Sequence, residues 1–333
     1  MNFENFEQLF SAFGNIKVAV IGDVMLDTYL FGKVERISPE APVPIVAVSS
    51  KEQRIGGAGN VALNTVALGA ATFVVSIIGA DNDGEQLTAL YSQQGIDTTY
   101  LTTSAKRITT NKTRIISSNQ QMMRLDTEIT KDISLEEEDL LLQQLVNCIS
   151  THKPDVLVFE DYNKGVLTER VITEAIALCK QHSIIASVDP KRKNFFAYKG
   201  VEIFKPNLKE VKEGLNLLIE EINPDTLSNI HWQLNQQLQH QVSLITLSEK
   251  GVFYQLNSQS AIIPTHIRTI ADVSGAGDTV IAVASLVYAT TKDIHLAAEI
   301  ANIAGGLVCE EVGTVAIDKQ KLFNECKALL HIS

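Results

Sequence analysis

Short runs rich in Val, Ile, Ala and Leu recur along the chain at Lys17–Ile21, Thr72–Ile78, Val156–Phe159, Ile184–Val188 and Val242–Leu247. Each has strand length, and amphipathic or small-residue stretches of helical spacing lie between them. Continuous apolar strands alternating with helices predict parallel strands joined by crossovers, which is a doubly wound, mostly parallel α/β sheet. Ligands of such a sheet bind outside the carboxyl ends of its strands.

Two segments break this rhythm. Pro42–Val48 and Ile96–Leu125 alternate Val, Ile and Thr with polar positions and carry no helix-length apolar stripe, so they are expected as strands outside the main sheet. The predicted organisation is a single domain over 1–333 with a small β lid, formed by about 24–55 and 97–126, inserted in it. No internal repeat and no Pro- or Ser-rich linker divides the chain, and the one biased stretch is the Gln-rich helix Trp232–Gln241.

Composition narrows the function. With 333 residues, 45% hydrophobic and 20% charged, the chain can bury a sizeable core. Its 28 basic against 39 acidic residues give a net charge of −11, which argues against general nucleic-acid binding, because that affinity rests on Lys and Arg. Met1–Gly14 has Glu4 and Glu7 and no basic residue before an apolar stretch, unlike a secretory signal, and no run approaches the roughly 18 apolar residues of a membrane span. A cytoplasmic protein with no membrane partner is expected. Cys148, Cys179, Cys309 and Cys326 are far apart and read as buried thiols, not as a zinc site or disulfide framework.

The average charge hides a local reversal. Thr98–Leu125 contains no Asp or Glu but holds Lys106, Arg107, Lys112, Arg114 and Arg124, a local +5. An anion-binding face for a phosphorylated small molecule is one reading. Protection of an exposed strand edge by cations is the other.

Two glycine-rich loops carry the candidate chemistry. Gly56-Gly57-Ala58-Gly59-Asn60 leads into a small-residue helix, where free N–H groups and close backbone approach favour an anionic or polar ligand. Gly57-x-Gly59-x-x-Ala62, with Asp81 after the next strand, also satisfies a dinucleotide fingerprint, so an NAD-dependent oxidoreductase is an alternative. Its context is weak, since the preceding Ser50–Arg54 is polar where the fingerprint needs a buried strand.

The second loop, Asp272-Val273-Ser274-Gly275-Ala276-Gly277-Asp278-Thr279, runs into an apolar helix. Gly275, Ala276 and Gly277 would present N–H groups to charge developing on a phosphoryl group, and Asp278 in the first turn could take the proton of an attacking hydroxyl. Helix capping is the plainer explanation of Asp278. No G-x-x-x-x-G-K-[ST] occurs, which excludes a P-loop kinase.

Together the two loops resemble those of the ribokinase (pfkB carbohydrate kinase) family. The first matches through Gly56-Gly57-x-Gly59-Asn60-x-Ala62 with Gly69 and Gly79, and the second through its Gly-Ala-Gly-Asp, in the family's order and separation. Within the family, Gly22-Asp23-Val24-Met25-Leu26-Asp27, Arg36–Pro44, Asn119-Gln120-Gln121, Arg124-Leu125-Asp126 and Asp161-Tyr162-x-Lys164-Gly165 most resemble the D-glycero-D-manno-heptose 7-phosphate kinases. The chain ends soon after the kinase region, giving the expectation of a stand-alone kinase without a nucleotidyltransferase domain.

The resemblance implies ATP-dependent phosphorylation of the sugar C1 hydroxyl to a 1,7-bisphosphate, a step toward lipopolysaccharide precursors. It implies Asp278 as base, with Gly275, Ala276 and Gly277 as the anion hole. Asp27, Gly57 and Asn60 would hold sugar hydroxyls. Asn207-x-x-Glu210 matches a motif that organises Mg²⁺ through water, and Asn207, Thr246, Ser248, Gly251 and Asn302 fall in the nucleotide site. Asp272, near Thr314 and Val315, marks a monovalent-cation (K⁺) region, although Val273 replaces the family's Thr there. A sugar 7-phosphate gives the basic segment a purpose: Lys112, Arg114 and Arg124, with Arg36, Asp161, Lys164 and Lys191, are the expected substrate contacts. A homodimer through the lid is also implied.

Overall fold

The computed structural model describes residues 3–118, 120–218 and 221–330. The first third of the chain runs through α1 (Phe6–Ala12), β1 (Lys17–Gly22), β2 (Val24–Ile37), β3 (Pro44–Gly57), α2 (Ala58–Leu68), β4 (Ala71–Gly79), α3 (Asn82–Gln93) and β5 (Leu101–Ser104). Then come β6 (Asn111–Ser117), β7 (Gln120–Thr127), α4 (Leu135–His152), β8 (Val156–Glu160), α5 (Glu169–His182), β9 (Ile185–Asp189) and β10 (Ile203–Phe204). The remainder is α6 (Leu208–Leu215), α7 (Pro224–Leu238), β11 (Val242–Thr246), β12 (Val252–Leu256), β13 (Gln259–Ile263), α8 (Ala276–Thr291), α9 (Ile294–Val308) and α10 (Lys319–Leu329).

Nine strands form the large sheet in the order β13-β12-β11-β10-β9-β8-β1-β4-β5. Strands β11 to β5 in that order pair in parallel, and β12 and β13 add an antiparallel edge. The predicted mostly parallel α/β sheet is therefore present. Its side chains alternate between two apolar layers: Val18, Val20, Val156 and Val158 pack toward α1, α2, α8, α9 and α10, while Ala19, Ile21, Leu157 and Phe159 pack toward α4, α5 and α7. The four cysteines are buried free thiols.

A second sheet, of order β3-β2-β6-β7, stands on the first. Its long strands β2 and β3 begin and end beside the main sheet, pairing Val24 with Gly57 and Ile37 with Pro44. The segment expected to belong wholly to the lid is divided: Leu101–Ser104 pairs with Ser76–Gly79 in the large sheet, and the lid resumes at Asn111. Local alternation of Val, Ile and Thr suits either kind of edge strand, so it could not separate the two. The lid strands expose Ile37, Val48, Met122, Met123 and Leu125.

Candidate active site

Strand register builds the floor of the site. Glu160 and Asp189 are partners at the carboxyl ends of β8 and β9, and the alternation that sends Val156 and Val158 toward α8 sends Glu160 the same way. Lys205, just beyond β10, faces Asp189 and binds its Oδ2 at 2.5 Å. Both are buried. Burial opposes ionisation of Asp189, but Lys191 and Lys205 win and hold its carboxyl below the usual range.

Asp278 descends onto this floor from the first turn of α8. That helix starts at Gly275, whose φ of 79° lies in the left-handed region, and a Cβ there would sit 2.7 Å from the Asn60 amide nitrogen. Asn60, in the first turn of α2, donates from Nδ2 to Asp278 Oδ2 at 2.9 Å, and the Tyr162 hydroxyl donates to Oδ1 at 2.7 Å. Gly57 allows α2 to begin here, since a Cβ on it would lie 2.3 Å from the Asp23 carbonyl oxygen. Burial pushes the Asp278 carboxyl up to about 6, against the two hydrogen bonds. A carboxylate so placed is ionised at neutral pH yet basic enough to accept a hydroxyl proton.

Glu160, Asp189 and Asp278 each bring an oxygen within 4.8 Å of the others. Neither oxygen of Glu160, a fully buried residue, has a hydrogen-bond partner. Burial, then the charges of Asp189 and Asp278, push its carboxyl well above the usual range. An all-oxygen donor set with an orphaned buried carboxyl fits Mg²⁺. Glu210, the residue expected to organise that ion, is already engaged: Oε2 accepts from the Asn207 N–H in a capping box on α6, and Oε1 accepts from Lys191 Nζ at 2.7 Å. Lys191, expected at the sugar, thus bridges Glu210 and Asp189 beside the floor.

Other expected contacts prove to be committed elsewhere. The basic lid residues do not form one anion face. Arg114 is paired with Asp27 at 2.6 Å between half-buried and buried groups, Arg124 pairs with Asp126 on the exposed strand β7, and Lys106 pairs with Glu136. Arg107 donates to the carbonyls of Ile129, Lys131 and Lys164. Arg36 is exposed near the far end of β2, nine residues and so about 30 Å along the strand from Asp27. Asp161 lies on the sheet face opposite Glu160, where Tyr198 donates to its Oδ2, and burial raises it to about 6. Lys164 pairs with Glu128 at 2.7 Å. Among the described residues, Lys112 Nζ has no carboxylate within ion-pair distance; it lies 4.8 Å from the centre of the Tyr162 ring, with Lys191 Nζ at 5.5 Å from the same centre. Asn119 lies outside the described residues.

Asp27 also accepts from the Thr314 hydroxyl, so both its oxygens have partners within the chain. Asp272 accepts from Ser274 and from the Gly313 N–H, and despite burial these bonds hold its carboxyl below the usual range. These bonds place it at the junction of two loops. Within the proposed anion hole, the Ala276 N–H already points to the Val273 carbonyl. Of the residues expected at the nucleotide, Thr246 closes β11 beside Asn207, Ser248 and Gly251 form the following turn at φ 56° and 95°, and Asn302 on α9 donates to the Pro264 carbonyl. The dinucleotide alternative loses its footing: the strand before Gly57 belongs to the lid, and Asp81 caps α3 and binds the Thr109 N–H.

Sequence reasoning gave no role to Glu160, Asp189, Lys205 or Tyr162. The signal for the first three was their place just at or after the carboxyl ends of apolar strands. Asp23, also buried, accepts N–H bonds from Tyr162, Lys164 and Val166, which fixes the backbone that carries the Tyr162 ring.

A mostly parallel sheet with a β lid, and a carboxylate over a glycine-started helix N-terminus, define the class of ribokinase-like carbohydrate kinases. Residues 15–321 match the pfkB family carbohydrate kinase profile, and the chain belongs to that family of phosphotransferases acting on sugar hydroxyls. Among its relatives are the bifunctional protein HldE of Geobacter sulfurreducens, 38% identical over 97% of this chain, and that of Methylobacillus flagellatus, 40% identical over 93%. The chain spans 65% and 63% of their lengths. Similar solved structures include Escherichia coli phosphofructokinase-2 in complex with potassium, with TM-score 0.77, 18% identity and coverage of 94% of this chain and 99% of that one. Another is Arabidopsis thaliana ribokinase complexed with ribose and ATP, with TM-score 0.72, 16% identity and coverage of 92% and 98%. Among the described residues no helix is long and apolar enough to cross a membrane.

Proposed function

We propose that this chain transfers the γ-phosphoryl group of ATP to the C1 hydroxyl of D-glycero-D-manno-heptose 7-phosphate, giving the 1,7-bisphosphate and ADP. The observation that carries the reading is Asp278, a buried carboxylate raised to about 6 in the first turn of α8, on the floor formed by Glu160, Asp189 and Lys205. The heptose assignment rests on the motifs around Asp27, Arg36, Arg124 and Tyr162, and on 38–40% identity to HldE proteins over nearly the whole chain.

The C1 oxygen bonds to the γ-phosphorus while its proton passes to Asp278. The bond from that phosphorus to the bridging oxygen breaks, and its electron pair leaves with ADP. The free N–H groups at the start of α8 and the Lys205 ammonium face the charge on the transferring group, and they are in place before the reaction begins. Glu160 and Asp189 would hold Mg²⁺, with Glu210 joined to them through Lys191. When bound, the ion would neutralise phosphate oxygens. No step is assigned to K⁺.

An unphosphorylated sugar as acceptor is the second reading, favoured by the pairing of Arg114 with Asp27 and of Arg124 with Asp126. Lys112 is the lid cation best placed to meet a phosphate near the base. Turnover assayed on heptose 7-phosphate, free heptose and hexose phosphates decides between them: selectivity for the 7-phosphate that falls in Lys112→Met supports the first reading, and equal use of free heptose supports the second. A homodimer through the lid is part of the proposal, and sedimentation measures it.

A further inference from the structure

Each oxygen of Asp278 accepts a hydrogen bond from within the chain, so an acceptor hydroxyl approaching either one meets a donor already in place. Asn60 cannot leave readily. It is fully buried in the first turn of α2, and its own carbonyl and Oδ1 accept from Asn64. Tyr162 can. Its ring is half-buried, and its hydroxyl sits 2.7 Å from Oδ1, the distance an acceptor hydroxyl would occupy during proton transfer. The backbone beneath it is held by Asp23 through three N–H bonds, so a change is confined to the side chain.

We infer that Tyr162 is a gate on the catalytic base, occupying the oxygen that receives the substrate proton until the sugar hydroxyl takes its place. This rests on the reading of Asp278 as that base. The gate answers a problem every kinase meets, namely that water is also a hydroxyl acceptor. While the phenol sits against Oδ1, a water molecule has to compete with it for the side of Asp278 from which a proton would be taken. The sugar, held by many contacts, can outcompete the phenol where a single water cannot. The ring also lies against Lys112 of the lid and Lys191 of the main sheet, so its displacement alters the surroundings of both cations at the moment the sugar enters.

The reaction so suppressed is hydrolysis: the water oxygen bonds to the γ-phosphorus, its proton goes to Asp278, and the bond to ADP breaks with release of inorganic phosphate. The test is phosphate release from ATP and Mg²⁺ without sugar, for the parent and Tyr162→Phe, which keeps the ring beside both lysines. The expected result is hydrolysis raised about tenfold, the scale of one lost hydrogen bond to a charged group, and a return to the parent level or below in the Tyr162→Phe, Asp278→Asn double variant. A merely structural role would lower every rate. Hydrolysis that is unchanged or reduced in Tyr162→Phe overturns the gate, as does extra hydrolysis that survives in the double variant.

A second measurement needs no folded variant. Adding heptose 7-phosphate with a non-hydrolysable ATP analogue to the parent should perturb tyrosine absorbance, and no perturbation overturns displacement of the phenol. Full sugar phosphorylation by Asp278→Asn alone would instead remove the base itself, a failure distinct from that of the gate.

Discussion

Asn60 and Asp278, 218 residues apart in sequence, are joined by a 2.9 Å hydrogen bond between the first turns of α2 and α8. The two glycine-rich loops are therefore a single device, the first holding the carboxylate that the second supplies. The contact of Asn60 with the base sets what its loss should do.

The Asn60 amide stabilises the ionised form of Asp278, so its removal raises the pKa of that carboxyl further. The parent should lose kcat/KM as pH falls through about 6, because protonated Asp278 accepts no proton. In Asn60→Ala that acid limb should move to higher pH, with kcat/KM at neutral pH down about tenfold. A pH–rate profile measures both, and an unmoved limb contradicts the assignment.

Arg114 and Arg124 face each other across β6 and β7 but differ in burial. Arg114→Ala leaves Asp27 charged and buried with one partner fewer, and should cost about 3 kcal/mol of stability. Arg124→Ala breaks an exposed pair and should cost less than about 1 kcal/mol. Urea unfolding of the two variants checks the difference; similar losses would show that the Arg114 pair is not buried in solution.

The magnesium reading separates two glutamates. Glu160→Gln, which removes an unpartnered buried carboxyl, should raise the Mg²⁺ concentration for half-maximal turnover more than Glu210→Gln does. Mn²⁺ titration followed by spin resonance gives the same comparison without turnover. The opposite order would return the ion to Glu210.

Behind the sheet, His231 and His240 share the Ser243 hydroxyl, and burial lowers His240 to about 3. Between that value and the ordinary 6.5, the unfolded chain binds a proton that the folded chain does not. Stability should therefore fall as pH drops below about 6.5, by up to about 1.4 kcal/mol per pH unit from this group, and the loss should level off near 3. Urea unfolding of the parent and of His240→Gln as a function of pH isolates the contribution, and parallel curves would refute it.

The large sheet was legible because β1, β4, β8, β9 and β11 are buried on both faces, which writes itself as continuous apolar runs. Leu101–Ser104 escaped because an edge strand half exposed to water reads like a lid strand. The loops around Gly57 and Gly275 were legible because backbone geometry demands glycine there. The floor was not: Glu160, Asp189 and Lys205 meet only through the register of three parallel strands, which no local pattern specifies. The pairing within the +5 segment was hidden for a related reason, since Glu136, Asp27 and Asp126, which pair with Lys106, Arg114 and Arg124, lie outside it in sequence.

The central claim is that Asp278 removes the proton from the sugar hydroxyl during phosphoryl transfer. Steady-state turnover of Asp278→Asn with ATP, Mg²⁺ and heptose 7-phosphate tests it most directly, with ATP binding followed by thermal stabilisation of the same sample. The account predicts kcat reduced about 10²- to 10⁴-fold with ATP stabilisation retained. Turnover within a few fold of the parent would contradict it.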